Sequence, residues 1–255
     1  MTGPLAGLLD LSSAALLAAG LVFLRVGAVM ALMPAFGEQV VPMRVRLALT
    51  LAFTAITAPA VAAGLPAAPG PLAALGEVVA GLALGMVLRL AVLVLQIAGQ
   101  VAAQSTSLAQ IFGGAAADPQ PAFGRLAVMA GLALAVMAGL HLRVAEALIL
   151  SYRVLPAGGL PDAAALSQWG VARIAGAFGF AVTLAMPFVA AGLIYNLALG
   201  VINRAMPQLM VVLVGAPALT GGGLVLMALA LPVLLSVWQG WLEGLLSAPF
   251  AGAGG

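Results

Sequence analysis

The residues able to do chemistry are few, and their types and spacing exclude most of it. His141 is the lone histidine, there is no cysteine, and the seven acids are Asp10, Glu38, Glu77, Asp118, Glu146, Asp162 and Glu243. One imidazole without thiolates or a second histidine does not furnish a zinc site. No two of the acids sit together as a pair for general acid–base work. There is no G-x-S-x-G or H-E-x-x-H, and a chain without lysine cannot carry a P-loop lysine. The expectation is a protein that is not an enzyme and holds no metal or cofactor.

What remains is polar residues set in apolar surroundings, whose work is binding and positioning. The 255 residues are 64% hydrophobic and only 6% charged, with a mean hydropathy of +1.23. A soluble domain carries roughly a quarter charged residues, so this chain cannot cover a globular surface with polar groups. It reads as an integral membrane protein. The nine basic residues are all arginine, for a net charge of +2. They form no stripe and have no aromatic interleaving, which excludes a nucleic-acid surface. The opening MTGPLAGLLDLSS has no positive charge before its apolar run and reads as the start of a mature chain.

Runs of about 18 apolar residues mark spanning helices. Six are found, at about 12–33, 46–64, 72–99, 125–150, 174–201 and 209–242. The expected fold is all-α and polytopic, one domain over 1–247 with a flexible Gly/Ala tail at 248–255. Several runs exceed the ~20 residues a bilayer core needs, so tilt, kinks or extension beyond the membrane are expected. Pro187 predicts a kink in the fifth run. Asp162 predicts a short helical piece inside the turn-rich stretch 155–170. Trp238 and Trp241, with Glu243 beyond them, suit a membrane–water interface. By the positive-inside rule, Arg44 and Arg46 in the first connection favour both termini outside.

Several polar groups fall within these runs. Arg25 lies near the middle of the first and requires either a partner helix or an interface to snorkel to. Glu77 stands near the first turn of the third, where the helix dipole favours an acid. Gly81 and Gly85 make a small-xxx-small pair, with Gly76 near the same face, of the kind that lets membrane helices pack closely. The abundance of glycine is the plainer explanation. Arg89, Gln96, Gln100 and Gln104, at spacings of seven, four and four, line one helical face. Such a stripe must meet water, a pore or another polar helix. Arg143 and Glu146 can pair across one turn.

Four separated segments carry a recognisable pattern. The first has Pro34, Phe36 and Gly37, then Val41, Pro42, Arg44 and Arg46. The second, in the long loop 105–125, has Ile111, Phe112, Gly113, Gly114, Asp118 and Pro119. A third combines Gly139, His141, Ser151, Tyr152 and Pro156, and the fourth Asn203, Arg204, Pro207, Gln208, Gly215 and Pro217. Together and in this order they resemble the FliR family, membrane subunits of the bacterial flagellar export gate. Met210-Val211-Val212 departs from that family, which often has an asparagine and aromatics there.

The resemblance implies a non-enzymatic subunit of the flagellar type III apparatus, in the bacterial inner membrane at the flagellar basal body. Its implied partners are FliP and FliQ, with FlhB and FlhA adjoining, and its cargo is unfolded flagellar axial protein. The loop at Ile111–Pro119 would project into the export pore as part of a plug. Many helices would lie against other subunits in a cone raised from the bilayer, and Arg25 and the Arg89–Gln104 stripe would meet those subunits. Two other readings stand beside it. One is an injectisome export-gate subunit, which shares the motifs. The other is a secondary transporter, for which broken helices speak and the lack of a convincing internal repeat speaks against.

Overall fold

Helix boundaries follow the local chemistry. Pro42 opens α2 (Met43–Val61), its carbonyl accepting from the amides of Val45 and Arg46 at 3.0 and 3.2 Å. Pro71 stands at the first position of α3 (Pro71–Ser107), where its missing N–H costs nothing. Asp162 caps α6 (Ala163–Ala205), its carboxylate accepting from the Ala165 amide at 2.7 Å. The computed structural model describes residues 3–34, 41–66, 69–107, 122–206 and 211–251. They also form α1 (Gly3–Leu32), α4 (Ala122–Met137), α5 (Leu140–Val154) and α7 (Val211–Ser247), with a 3-10 turn at Ala62–Gly64. No strand occurs among the described residues.

Five of these helices are long and apolar enough to cross a membrane, and the bent α4/α5 pair counted as one span makes six. The protein is an all-α, polytopic membrane protein. Three details differ from expectation. The fourth apolar run is two helices, because Gly139 adopts φ 85°, a left-handed conformation that ends one helix and starts the next. The piece begun by Asp162 is not short: it is the first turn of a helix of 43 residues that continues through Pro187. Of the tail, Ala248–Ala251 are held in place. Phe250 is buried with its ring 5.1 Å from that of Trp169, and Arg173 donates to the Ala251 carbonyl at 3.0 Å.

The chain divides into two compact units, one of residues 1–90, 138–174 and 242–255, the other of 91–137 and 175–241. In the first, α1 buries Val22, Val26, Val29, Met30 and Met33, spaced as one helical face. Gly81 and Gly85 of α3 lie against the adjoining strip of α1, formed by Arg25, Ala28, Val29 and Leu32. A Cβ on Gly81 would run into the Arg25 carbonyl and stand 2.7 Å from the Ala28 Cβ, and one on Gly85 would stand 3.0 Å from the Leu32 Cβ. Gly76 likewise lies under the Gly159 carbonyl. Gly81 and Gly85 are therefore a packing surface against α1, whereas Gly76 faces a different segment. On the other flank of α1, α2 turns inward Thr50, Thr54 and Thr57 and outward Leu47, Leu51 and Ile56. The hydroxyls of Thr50 and Thr54 donate to carbonyls one turn back, at 2.8 and 2.7 Å, which makes a threonine face fit for burial.

The second unit uses the same device. Gly99 of α3 lies against Gly124 of α4, Gly131 lies against Leu95 and Trp238, and Gly192 of α6 against the Ser105 carbonyl. Phe188, Ala102, Ala127 and Met227 form its buried centre. Trp238 belongs to this interior and not to an interface. It is 1% exposed, and its indole N–H donates to the Ala91 carbonyl at 2.7 Å. Trp241, half-buried, stacks on Phe180 at 4.8 Å.

Replacing Gly81 by alanine should cost about 1–3 kcal/mol through overpacking against the α1 backbone. Gly20→Ala, where nothing lies within 4 Å of the added carbon, should stabilise by up to about 1 kcal/mol, since alanine favours a helix interior over glycine. Thermal unfolding in detergent measures both, and equal midpoints would contradict this packing.

Candidate functional site

The buried polar centre of the first unit is built on Arg25. Gly81, one turn beyond Glu77 on α3, brings the α1 backbone close, and at that separation the Glu77 carboxylate reaches the guanidinium. Arg25 Nε donates to Glu77 Oε2 at 2.8 Å and Nη2 to Oε1 at 3.0 Å, a two-point fork. Both residues are 1% exposed. The remaining donors turn to α5. Nη1 donates to Ser151 Oγ at 3.0 Å, and Nη2 also donates to the Leu155 carbonyl at 2.9 Å, just past the helix end.

Tyr152 closes the cluster. Its ring lies over the guanidinium, 3.6 Å from ring centre to Cζ, and its hydroxyl donates to Glu77 Oε2 at 2.8 Å. Ser151 in turn donates to the Leu148 carbonyl at 2.6 Å. Among the described residues, the buried side-chain atoms without a hydrogen bond are Thr57 Oγ1 and Trp169 Nε1, and neither belongs to this cluster. A neutral pair with its donors and acceptors matched has no unmet group to offer a ligand. Its chemistry is to hold three helices in register. No group of three His, Cys, Asp or Glu residues able to bind a metal occurs among the described residues.

This arrangement corrects the expectation that Arg25 would meet another subunit, because its partners are Glu77, Ser151, Tyr152 and Leu155 of its own chain. Glu77 is the seventh residue of α3, past the first turn where the helix dipole would favour an acid, and it serves instead as the counter-charge to Arg25. The usable signal was two opposite charges in separate apolar runs, with a glycine one turn from the acid.

The other singled-out residues are not members of the cluster. Pro34 is buried in the turn after α1, Pro42 and Arg44 are exposed at the start of α2, and Arg46 is half-buried there. Along α3, Arg89 and Gln96 are half-buried, whereas Gln100 and Gln104 are exposed. His141 is exposed in the first turn of α5, and Arg143 and Glu146 make an exposed pair at 3.3 Å, a kind worth little. Asn203 and Arg204 are exposed at the end of α6, and Gly215 and Pro217 lie within α7. Gly37, the loop residues Ile111, Phe112, Gly113, Gly114, Asp118 and Pro119, and Pro207 and Gln208 lie outside the described residues.

The cluster sets an order of sensitivity. Arg25→Met leaves the Glu77 carboxylate buried without its counter-charge, and breaking a buried pair in this way costs about 3–5 kcal/mol. Tyr152→Phe keeps the ring over Arg25 and loses one bond to a charged acceptor, about 1.5–3 kcal/mol. Thermal midpoints in detergent should fall in that order. Midpoints unchanged from the parent would show that the cluster adds no stability.

Comparison with known proteins bears on the whole chain. Residues 16–245 match the model of the family described as bacterial export proteins, family 1. The flagellar biosynthetic protein FliR of Caulobacter vibrioides is 36% identical over 230 residues, covering 86% of this chain and 90% of that protein. FliR of Escherichia coli is 30% identical over 222 residues, 83% of each chain, and FliR of Aquifex aeolicus 30% over 173 residues, 63% of each. With a family match running through nearly all its helices, the chain belongs to bacterial export protein family 1, the FliR family.

Proposed function

We propose that this protein is a non-enzymatic membrane subunit of the bacterial flagellar type III export gate. It assembles with FliP and FliQ in the inner membrane, beside FlhB and FlhA, into the channel that passes unfolded axial proteins to the growing flagellum. The flagellar form is favoured over an injectisome subunit because the three similar proteins above are all flagellar biosynthetic proteins.

The observation that supports assembly is the length of one apolar stripe. Along α6, Val171, Ile174, Phe178, Val182, Met186, Leu193, Leu197 and Val201 are all exposed and recur every three, four or seven residues. From Val171 to Val201 the stripe runs about 45 Å at 1.5 Å per residue. A hydrocarbon core is about 30 Å thick. Measured along the helix, the stripe is longer than that core is thick. Neighbouring apolar helices of a multi-subunit gate would cover the excess. In that setting the exposed Gln100 and Gln104 face other subunits or the pore. The Phe112-Gly113-Gly114 loop serves as its plug.

Tagged protein drawn from mildly solubilised native membranes should come out in a large complex with two other small helical membrane proteins. Recovery alone or as a simple homodimer would instead support a transporter. The paired change Leu193→Ala and Leu197→Ala separates lipid from protein cover. Lipid tails are as apolar as leucine, so a lipid-facing stripe tolerates it, whereas a packed interface should lose co-purifying partners by about tenfold. Deleting 110–116 should make the membrane leak ions or abolish export. Unchanged permeability together with normal motility would remove the plug assignment.

A further inference from the structure

We propose that Arg25 and Glu77 are an insertion pair: α1 becomes stably membrane-spanning only once α3 supplies the counter-charge. Arg25 falls in the span Ala15–Leu32, about 10 Å from its Leu32 end at helical rise, and α1 runs on the other way to Gly3. A lone guanidinium at such a depth is held against a large desolvation cost. In the folded chain it does not snorkel. It turns inward, is 1% exposed, and takes both carboxylate oxygens of Glu77. The neutralising group belongs to the same chain, so compensation needs no other subunit. It also comes from the third helix, not the second, so α1 waits through α2 for its partner.

The close packing points the same way. Gly81 lies against Arg25 and Ala28, and Gly85 against Val29 and Leu32, so residue numbers rise together and α1 and α3 run parallel. Parallel neighbours separated by one helix are what two spans inserted in the same direction become. Ser151, Tyr152 and the Leu155 carbonyl then arrive from α5, more than 120 residues after Arg25, and close a pair that already exists. Glu77 is thus the insertion partner, and α5 the lock.

The chain's lack of cysteine allows a direct test in the full-length protein. Gly20→Cys places a thiol inside the α1 span, at an exposed position with nothing within 4 Å of the new carbon. Newly made chains, read before proteolysis, are treated with a membrane-impermeant maleimide. The parent should be protected. Glu77→Met leaves Arg25 unpaired in α1, and labelling should rise by up to about a hundredfold, the order set by the cost of an arginine at a span centre. Arg25→Met removes the charge from α1 and should remain protected, although it breaks the same cluster. The double variant Arg25→Met with Glu77→Met, and the exchange Arg25→Glu with Glu77→Arg, should both be protected.

This asymmetry separates insertion from general stability, since a merely structural pair would respond alike to loss of either member. Equal labelling of the two single variants, or a Glu77→Met chain as protected as the parent, would overturn the proposal. So would a double variant labelled as strongly as Glu77→Met.

Discussion

A guanidinium with 1% exposure in an apolar chain is tolerated only where a carboxylate, further acceptors and a close-fitting backbone meet around it. Much of the first unit can be traced to that requirement. Gly81 is bare so that α1 can approach α3, the approach brings Glu77 to Arg25, and the unused donors fix where α5 ends. Gly139, left-handed at φ 85°, starts α5, whose last turn presents Ser151 and Tyr152 to the pair. A hydrophobic substitute for the pair could match its stability but not its selectivity. Apolar surfaces tolerate slippage along a helix by a turn, whereas a two-point fork does not.

The same physics appears in the second unit without a charge. Between apolar helices in lipid there is no hydrophobic gain from association, so stability comes from contact and from hydrogen bonds. Gly99 against Gly124, Gly192 against Ser105 and the indole of Trp238 on the Ala91 carbonyl supply both. Glycine, with 32 residues in the chain, therefore has two uses: it allows close approach at these crossings and it supplies left-handed turns at Gly139 and Gly158.

Membrane class, helical content and the number of spans were legible in composition and run length, because long continuous apolar runs, unlike the alternating strands of a barrel, satisfy their backbone in lipid as helices. The glycine crossing at Gly81 and Gly85 was legible from spacing. What spacing could not show was which element answers Arg25, since a counter-charge 52 residues away leaves no periodic trace. Trp238 misled for a related reason. An aromatic with one N–H suits an interface and a buried carbonyl equally, and only the approach of α3 decides between them. Gly139 hid the break in the fourth run because hydropathy is continuous across a left-handed residue.

Two groups of polar residues, which the sequence alone presents as one, behave differently. Arg25, Glu77, Thr50, Thr54 and Ser151 are buried and satisfied within the chain. Gln100, Gln104, Asn203 and Arg204 are exposed on helices whose other exposed residues are largely apolar. The first class sets the internal register of the helices. The second stands on surfaces that hydrocarbon serves poorly, since an exposed amide in lipid keeps its desolvation cost. On the longest helix, Asn203 and Arg204 follow directly on the exposed apolar stripe, which runs to Val201 and Ile202.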